Sequence, residues 1–128
     1  MVIVPVVAVS LVAQRALQAA MRCGGEVVPV AVDIDPEGTR SLRAVWAQWN
    51  PGVALKILPS PHHNLVAPIV GFVRTQIAKG RTVTVLIAEV APRRRRYQLL
   101  HNQRGPILAA ALRARTDAVV ATIVVRVD

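Results

Sequence analysis

Apolar residues fall in five short runs along the chain, and each of the first four is followed by a stretch in which apolar and polar positions recur every three or four residues. The first run, IVPVVAVS (Ile3 to Ser10), is apolar on both alternations, as a strand covered on two faces must be. Leu11 to Cys23 then sets Ala13, Leu17 and Met21 beside Val12, Ala16 and Ala20, with Gln14, Arg15, Gln18 and Arg22 opposite, which predicts a covering helix closed by Gly24 and Gly25. EVVPVAVDID reads as the second strand. Asp35 caps the next helix, Pro36 opens it, Leu42, Val45, Trp46 and Trp49 form its buried stripe, and NPG stops it.

VALKILP is a third strand whose Lys56 suits a sheet edge facing water. Pro61 to Lys79 reads as a helix bent at Pro68, with Leu65, Ile69, Phe72, Val73 and Ile77 inward. TVTVLIAEV is the fourth strand. Pro106 to Arg115 follows as the last helix, with Ile107, Leu108, Ala111 and Leu112 inward, and AVVATIVVRV as the fifth strand. Pro5 and Pro29 fall within apolar runs, where only the beginning of a strand suits them. Strands alternating with helices across short joints predict an α/β fold of three layers, a five-stranded parallel sheet in the order 3-2-1-4-5, and one domain over residues 1–128.

Composition sharpens the picture in two respects. Hydrophobic residues make up 53% of the chain and mean hydropathy is +0.42, yet no run nears the ~18 apolar residues of a membrane span. The apolar material therefore builds a core, and the first run lacks the basic leader and cleavage site of a signal peptide. Sixteen Lys and Arg against seven Asp and Glu give a formal charge of +9, which favours phosphate-bearing partners. Cys23, the one cysteine, excludes an internal disulfide and reads as core or helix-end filler.

In an open parallel sheet, ligands bind beyond the carboxyl ends of the strands where the strand order reverses, here between strands one and four. That crevice collects Ser10 and Leu11 after the first strand, Asp33 to Asp35 after the second, and Glu89 at the end of the fourth. Beyond Glu89 comes the segment VAPRRRRYQLLHNQ, so Arg93, Arg94, Arg95 and Arg96 fall at the expected mouth. Guanidinium groups grip phosphate oxygens in pairs, and Asn102 or Gln103, at the start of the last helix, adds free backbone N–H groups; His101 adds a donor when protonated. A solvated basic loop is an equal reading of the same run.

The carboxylates are likewise open to two readings. Asp35 is a cap, Glu89 a counter-charge and Asp33 a loop acceptor, or all three contact ribose or a base edge. His62 and His63 are adjacent loop residues that do not aim at one metal, with His62 at the same mouth. No nucleophile elbow, P-loop or dinucleotide glycine motif is present, so neither an enzyme nor a metal site is expected.

The order of strands and helices, with a ligand loop after the fourth strand, resembles the universal stress protein (UspA-like, Rossmann-like) fold over nearly the full length. ATP-binding members carry a glycine-spaced phosphate grip, G-x2-G-x9-G-S/T, where this chain has EVAPRRRRYQLLHNQRG without that spacing. RYQLLHNQ, with AVVATIVVRV after it, is similar instead to the cytosolic C-terminal domain of APC-superfamily permeases related to KUP-type potassium importers.

That resemblance implies a regulatory domain that binds cyclic di-AMP and governs a potassium or amino-acid permease. Its ligand carries two phosphates, met by Arg93 to Arg96, and two adenines, met by Tyr97, Pro59 and Val12, with base edges read near Asp33 and Ile34. It further implies a homodimer through the last strand, a transmembrane permease partner in the full-length protein, and a cytoplasmic position at the inner face of the membrane. The rivals are a stand-alone universal stress protein binding ATP or AMP, a nucleic-acid binder, for which the chain offers few aromatics to stack bases, and, third, an amphitropic domain lying on anionic lipid.

Overall fold

Among the described residues nine elements alternate: β1 (Val2–Pro5), α1 (Leu11–Arg22), β2 (Val27–Asp33), α2 (Pro36–Trp49), β3 (Lys56–Pro59), α3 (Val66–Ala78), β4 (Thr84–Ala91), α4 (Arg104–Arg115) and β5 (Val119–Arg126). The structure, a computed structural model, describes residues 1–7, 9–60, 64–91 and 104–126. The strands form one sheet in the order β3-β2-β1-β4-β5 with every pairing parallel, as the alternation of elements predicts.

Both faces of the sheet are covered because both alternations of its strands are apolar. On one face Val4, Val6, Ala31 and Leu86 pack against Ala16, Leu17 and Ala20 of α1 and Leu42 and Trp46 of α2. On the other, Ile3, Val30, Leu58, Val85 and Ile87 pack against Ile69, Val70 and Val73 of α3 and Leu108, Ala109 and Leu112 of α4. Trp46 fills its core while its indole Nε1 donates to Val53 O at 3.0 Å, and Trp49 meets it edge to face, so the tryptophans are packing groups. Lys56 is exposed on the edge strand β3, as expected.

Three residues read as inward are not. Met21, Val45 and Ile107 are 44%, 43% and 58% exposed. Each sits beside its helix's true contact line, and Ala109 with Leu108 and Leu112 takes the inner face of α4 instead.

The prolines correct the expected strand and helix ends. Pro29 lies inside β2, paired with Val4, not at its beginning. Val2 N–H donates to Glu26 O and Val6 N–H to Val30 O, each at 2.8 Å, so even-numbered residues of β2 bond β1 and the nitrogen of Pro29 faces β3. Pairing with β3 starts one residue later, at Val30 with Lys56, so no ladder bond is lost.

Pro5 ends β1 instead of beginning it. Thr84 N–H donates to Met1 O, which places odd-numbered residues of β1 toward β4, and the next donor in that ladder would be Pro5. Register between β1 and β4 accordingly stops at Ile3 with Val85, and the strand expected to run to Ser10 ends at Pro5.

Pro68 does not bend α3. The helix starts at Val66, because Asn64 Oδ1 accepts from Val66 N–H at 2.9 Å and Ala67 N–H at 3.4 Å. Pro68 is its third residue, where an N–H has no intrahelical partner to lose. Pro106 likewise stands third in α4, which begins two residues earlier than expected.

Asp35 caps α2 as expected, its two carboxylate oxygens accepting from Glu37 N–H and Gly38 N–H at 3.3 Å each. Asp35→Ala leaves both donors without that partner and is expected to cost about 1 kcal/mol of unfolding free energy, against a few tenths for Asp35→Ser. Urea unfolding followed by circular dichroism measures the difference; equal midpoints for the two variants would remove the cap from the account.

Candidate functional site

The sheet forks at its centre. β1 and β4 share only the pairs Val2 with Thr84 and Ile3 with Val85, while β4 runs on with β5 for six further residues to Ala91. β1 meanwhile stays with β2, since Val6 N–H still reaches Val30 O. The two halves therefore part at the carboxyl end of the strands, at the point where strand order reverses, which is where open α/β sheets take their ligands.

Beside the fork a cavity of about 230 Å³ opens, lined by Val6, Val7, Ala31, Val32, Ile34, Asp35, Gly38, Thr39, Leu42 and Leu65. That volume is below the ~300–1,000 Å³ of pockets enclosing a whole drug-sized ligand, so it suits one ring system of a larger molecule. Its walls are mostly aliphatic, and its polar groups come from the β2–α2 turn. The turn is tightly held: Ile34 N–H donates to Val32 O at 2.9 Å, and Thr39 Oγ1 donates to Asp33 Oδ1 at 2.8 Å.

Of the residues singled out from the sequence, Ile34 and Asp35 line this cavity. Asp33 sits in the same turn with its carboxylate occupied by Thr39, and Pro59 is its register partner on β3. Ser10 caps α1, its Oγ accepting from Ala13 N–H at 3.2 Å, with Leu11 exposed and Val12 half-buried after it. None of these three lines the cavity.

Glu89, half-buried on β4 opposite Val124, shares the strand face of Ile87 and so points toward the α3–α4 layer. His62, Arg93, Arg94, Arg95, Arg96, Tyr97, His101, Asn102 and Gln103 lie outside the described residues. β4 ends and α4 begins at the carboxyl end of the sheet, the same end as the cavity.

Sequence reasoning missed the cavity's apolar lining, Val6, Val7, Leu42 and Leu65, because aliphatic residues there read as ordinary core. One signal was available. Gly38 stands in the first turn of α2, and a Cβ built there would lie 3.3 Å from Asp35 Oδ2, so glycine keeps the cap and the cavity wall compatible. Asp33, Asp35 and Glu37 make the β2–α2 turn acidic, while Arg104 and Arg126 stand at the start of α4 and the end of β5, at the same end of the sheet. Among the described residues no group of three or more His, Cys, Asp or Glu is placed to hold a metal ion.

Such an arrangement defines a doubly wound α/β domain with a small cavity at the carboxyl ends of β1 and β2. Residues 1–125 match the family described as the KimA potassium transporter C-terminal domain, and the chain belongs to that family. It is 33% identical over 126 residues to the potassium transporter KimA of Bacillus subtilis (strain 168), an alignment covering 95% of this chain. The chain spans 21% of the length of that relative.

Proposed function

We propose that this chain is the regulatory domain of a potassium transporter, a UspA-like module that binds cyclic di-AMP and is not itself an enzyme. The observation that carries the reading is the fork at Pro5, with a cavity for one ring system beside it. One adenine enters the cavity against Val6, Ile34 and Leu42, its edge toward the backbone of the β2–α2 turn. The phosphates then lie over the fork, toward the chain beyond β4.

Membership of the KimA C-terminal family supports the transporter half of the reading, with a transmembrane permease as partner and the inner face of the membrane as location. A dimer through β5 suits it as well. β5 is an eight-residue edge strand with Val119 and Val124 exposed, and an edge of that length and apolarity favours pairing. The output is a shift between two arrangements of that dimer.

Calorimetric titration of the purified chain with cyclic di-AMP, cyclic di-GMP, ATP and AMP tests the proposal. Saturable heat is expected with the first, and weaker or no heat with the rest. Binding of ATP or AMP without cyclic di-AMP would replace it with a mononucleotide-binding universal stress protein.

A further inference from the structure

We infer that the outer face of α1 and α2 is a docking surface for a bilayer leaflet rich in acidic phospholipid. Both helices cover the same face of the sheet, so their outer sides form one broad surface. Along α1 the exposed residues Leu11, Arg15, Gln18 and Arg22 succeed one another at intervals of four, three and four, which is a single line down a helix. On α2, Arg40 and Arg43 are exposed. Four arginines thus share the surface with one carboxylate, Glu37.

Arg15, Arg40 and Arg43 lie in the bodies of their helices, where no capping role accounts for them. Leu11, Met21 and Val45, three of the large apolar side chains left exposed, belong to the same two helices. Cations interleaved with aliphatic groups are what a headgroup layer accepts: guanidinium forks bind phosphates while the aliphatic parts enter the acyl boundary. The reverse face carries as many arginines but places them differently: α3 has Arg74 and an exposed line of Ala67, Gly71, Thr75 and Ala78, while α4 holds its arginines at its two ends, Arg104 as its first residue and Arg113 and Arg115 in its last turn, where they complement the helix dipole.

Among the described residues no helix is long and apolar enough to cross a membrane, so the contact is a surface one. The nucleotide crevice opens at the N-terminal end of α2, and none of the four arginines of this face lines it.

Sedimentation of the chain with phosphatidylcholine vesicles, with and without phosphatidylglycerol, reads the contact directly. Binding is expected only with the anionic lipid, and to fall away near 1 M salt, where the screening length drops to about 3 Å. Each arginine at such a surface contributes roughly fivefold. Arg15→Gln with Arg22→Gln should therefore weaken binding about thirtyfold.

Arg74→Gln with Arg113→Gln removes equal charge on the far side of three layers, more than about 20 Å away, and should change binding less than threefold. Equal losses from the two pairs, or a loss produced only by removing Arg93 to Arg96, would overturn the assignment to this face. So would binding to duplex DNA or RNA without binding to vesicles. Circular dichroism melts of each variant separate lost docking from lost folding.

Discussion

Ile3→Ala is expected to lower the unfolding free energy by about 3–4 kcal/mol, the cost of deleting a fully buried branched chain from a close-packed core. Ile3 is wholly inaccessible and packs with Val30, Val85 and Ile87 under α3 and α4. It is also the last residue of β1 in register with β4, so its neighbours are held from both halves of the sheet and have little freedom to collapse into the space left. In a domain whose whole stability is about 5–15 kcal/mol, that loss is large, and it corresponds to a fall in melting temperature of roughly 10–15 °C.

Ile107→Ala is the matching control. It removes the same atoms from a residue that is 58% exposed, and is expected to stay within about 0.5 kcal/mol. Chemical denaturation of the two variants beside the parent measures both. A comparable loss at Ile107 would mean that α4 packs by the line the periodicity first suggests, and not by Leu108, Ala109 and Leu112.

That contrast shows why the fold was legible and its details less so. Strand runs apolar on both alternations, each with a helical pattern after it, leave a doubly wound sheet as the natural solution, and that order is present. Helix orientation needs contrast between faces, which α4 withholds: in ILAAALRA the alanines carry no preference, so the inner line moved by one residue.

In α1 an interval of four residues drifts about 40° round the helix, and Met21, four beyond Leu17, is carried out of the contact arc. In α2, Val45 falls about 60° from Leu42, on the side away from Trp46. Strand ends were illegible for another reason. Whether a proline ends a ladder depends on which neighbour its missing N–H faces, and that is known only once the strands are paired. Pro29 loses nothing, whereas Pro5 opens the fork on which the proposed site rests.

Replacing Arg93, Arg94, Arg95 and Arg96 together by serine is expected to weaken cyclic di-AMP binding by at least a hundredfold. Two phosphates arriving beside the cavity meet the carboxylates of the β2–α2 turn, Asp33, Asp35 and Glu37, and an acidic rim of that kind repels a diester unless cations intervene. α1, α2 and α3 offer none at the cavity wall. Hydrogen bonds from guanidinium to phosphate contribute about 1.5–3 kcal/mol each, so losing two of them is sufficient for the stated effect. It should also flatten the salt dependence of the affinity, because fewer charges are then neutralised on binding.

Net charge by itself is controlled by changing Arg74, Lys79, Arg113 and Arg115 to glutamine, an equal loss of cations drawn from α3, the residue after it, and the last turn of α4. That variant should bind within about threefold of the parent, since exposed charges more than a Debye length away are screened. If the two quadruple variants weaken binding alike, the arginine run is only part of a diffuse positive field. If the serine variant binds as the parent does, the phosphates lie elsewhere and the crevice at Pro5 has a different ligand.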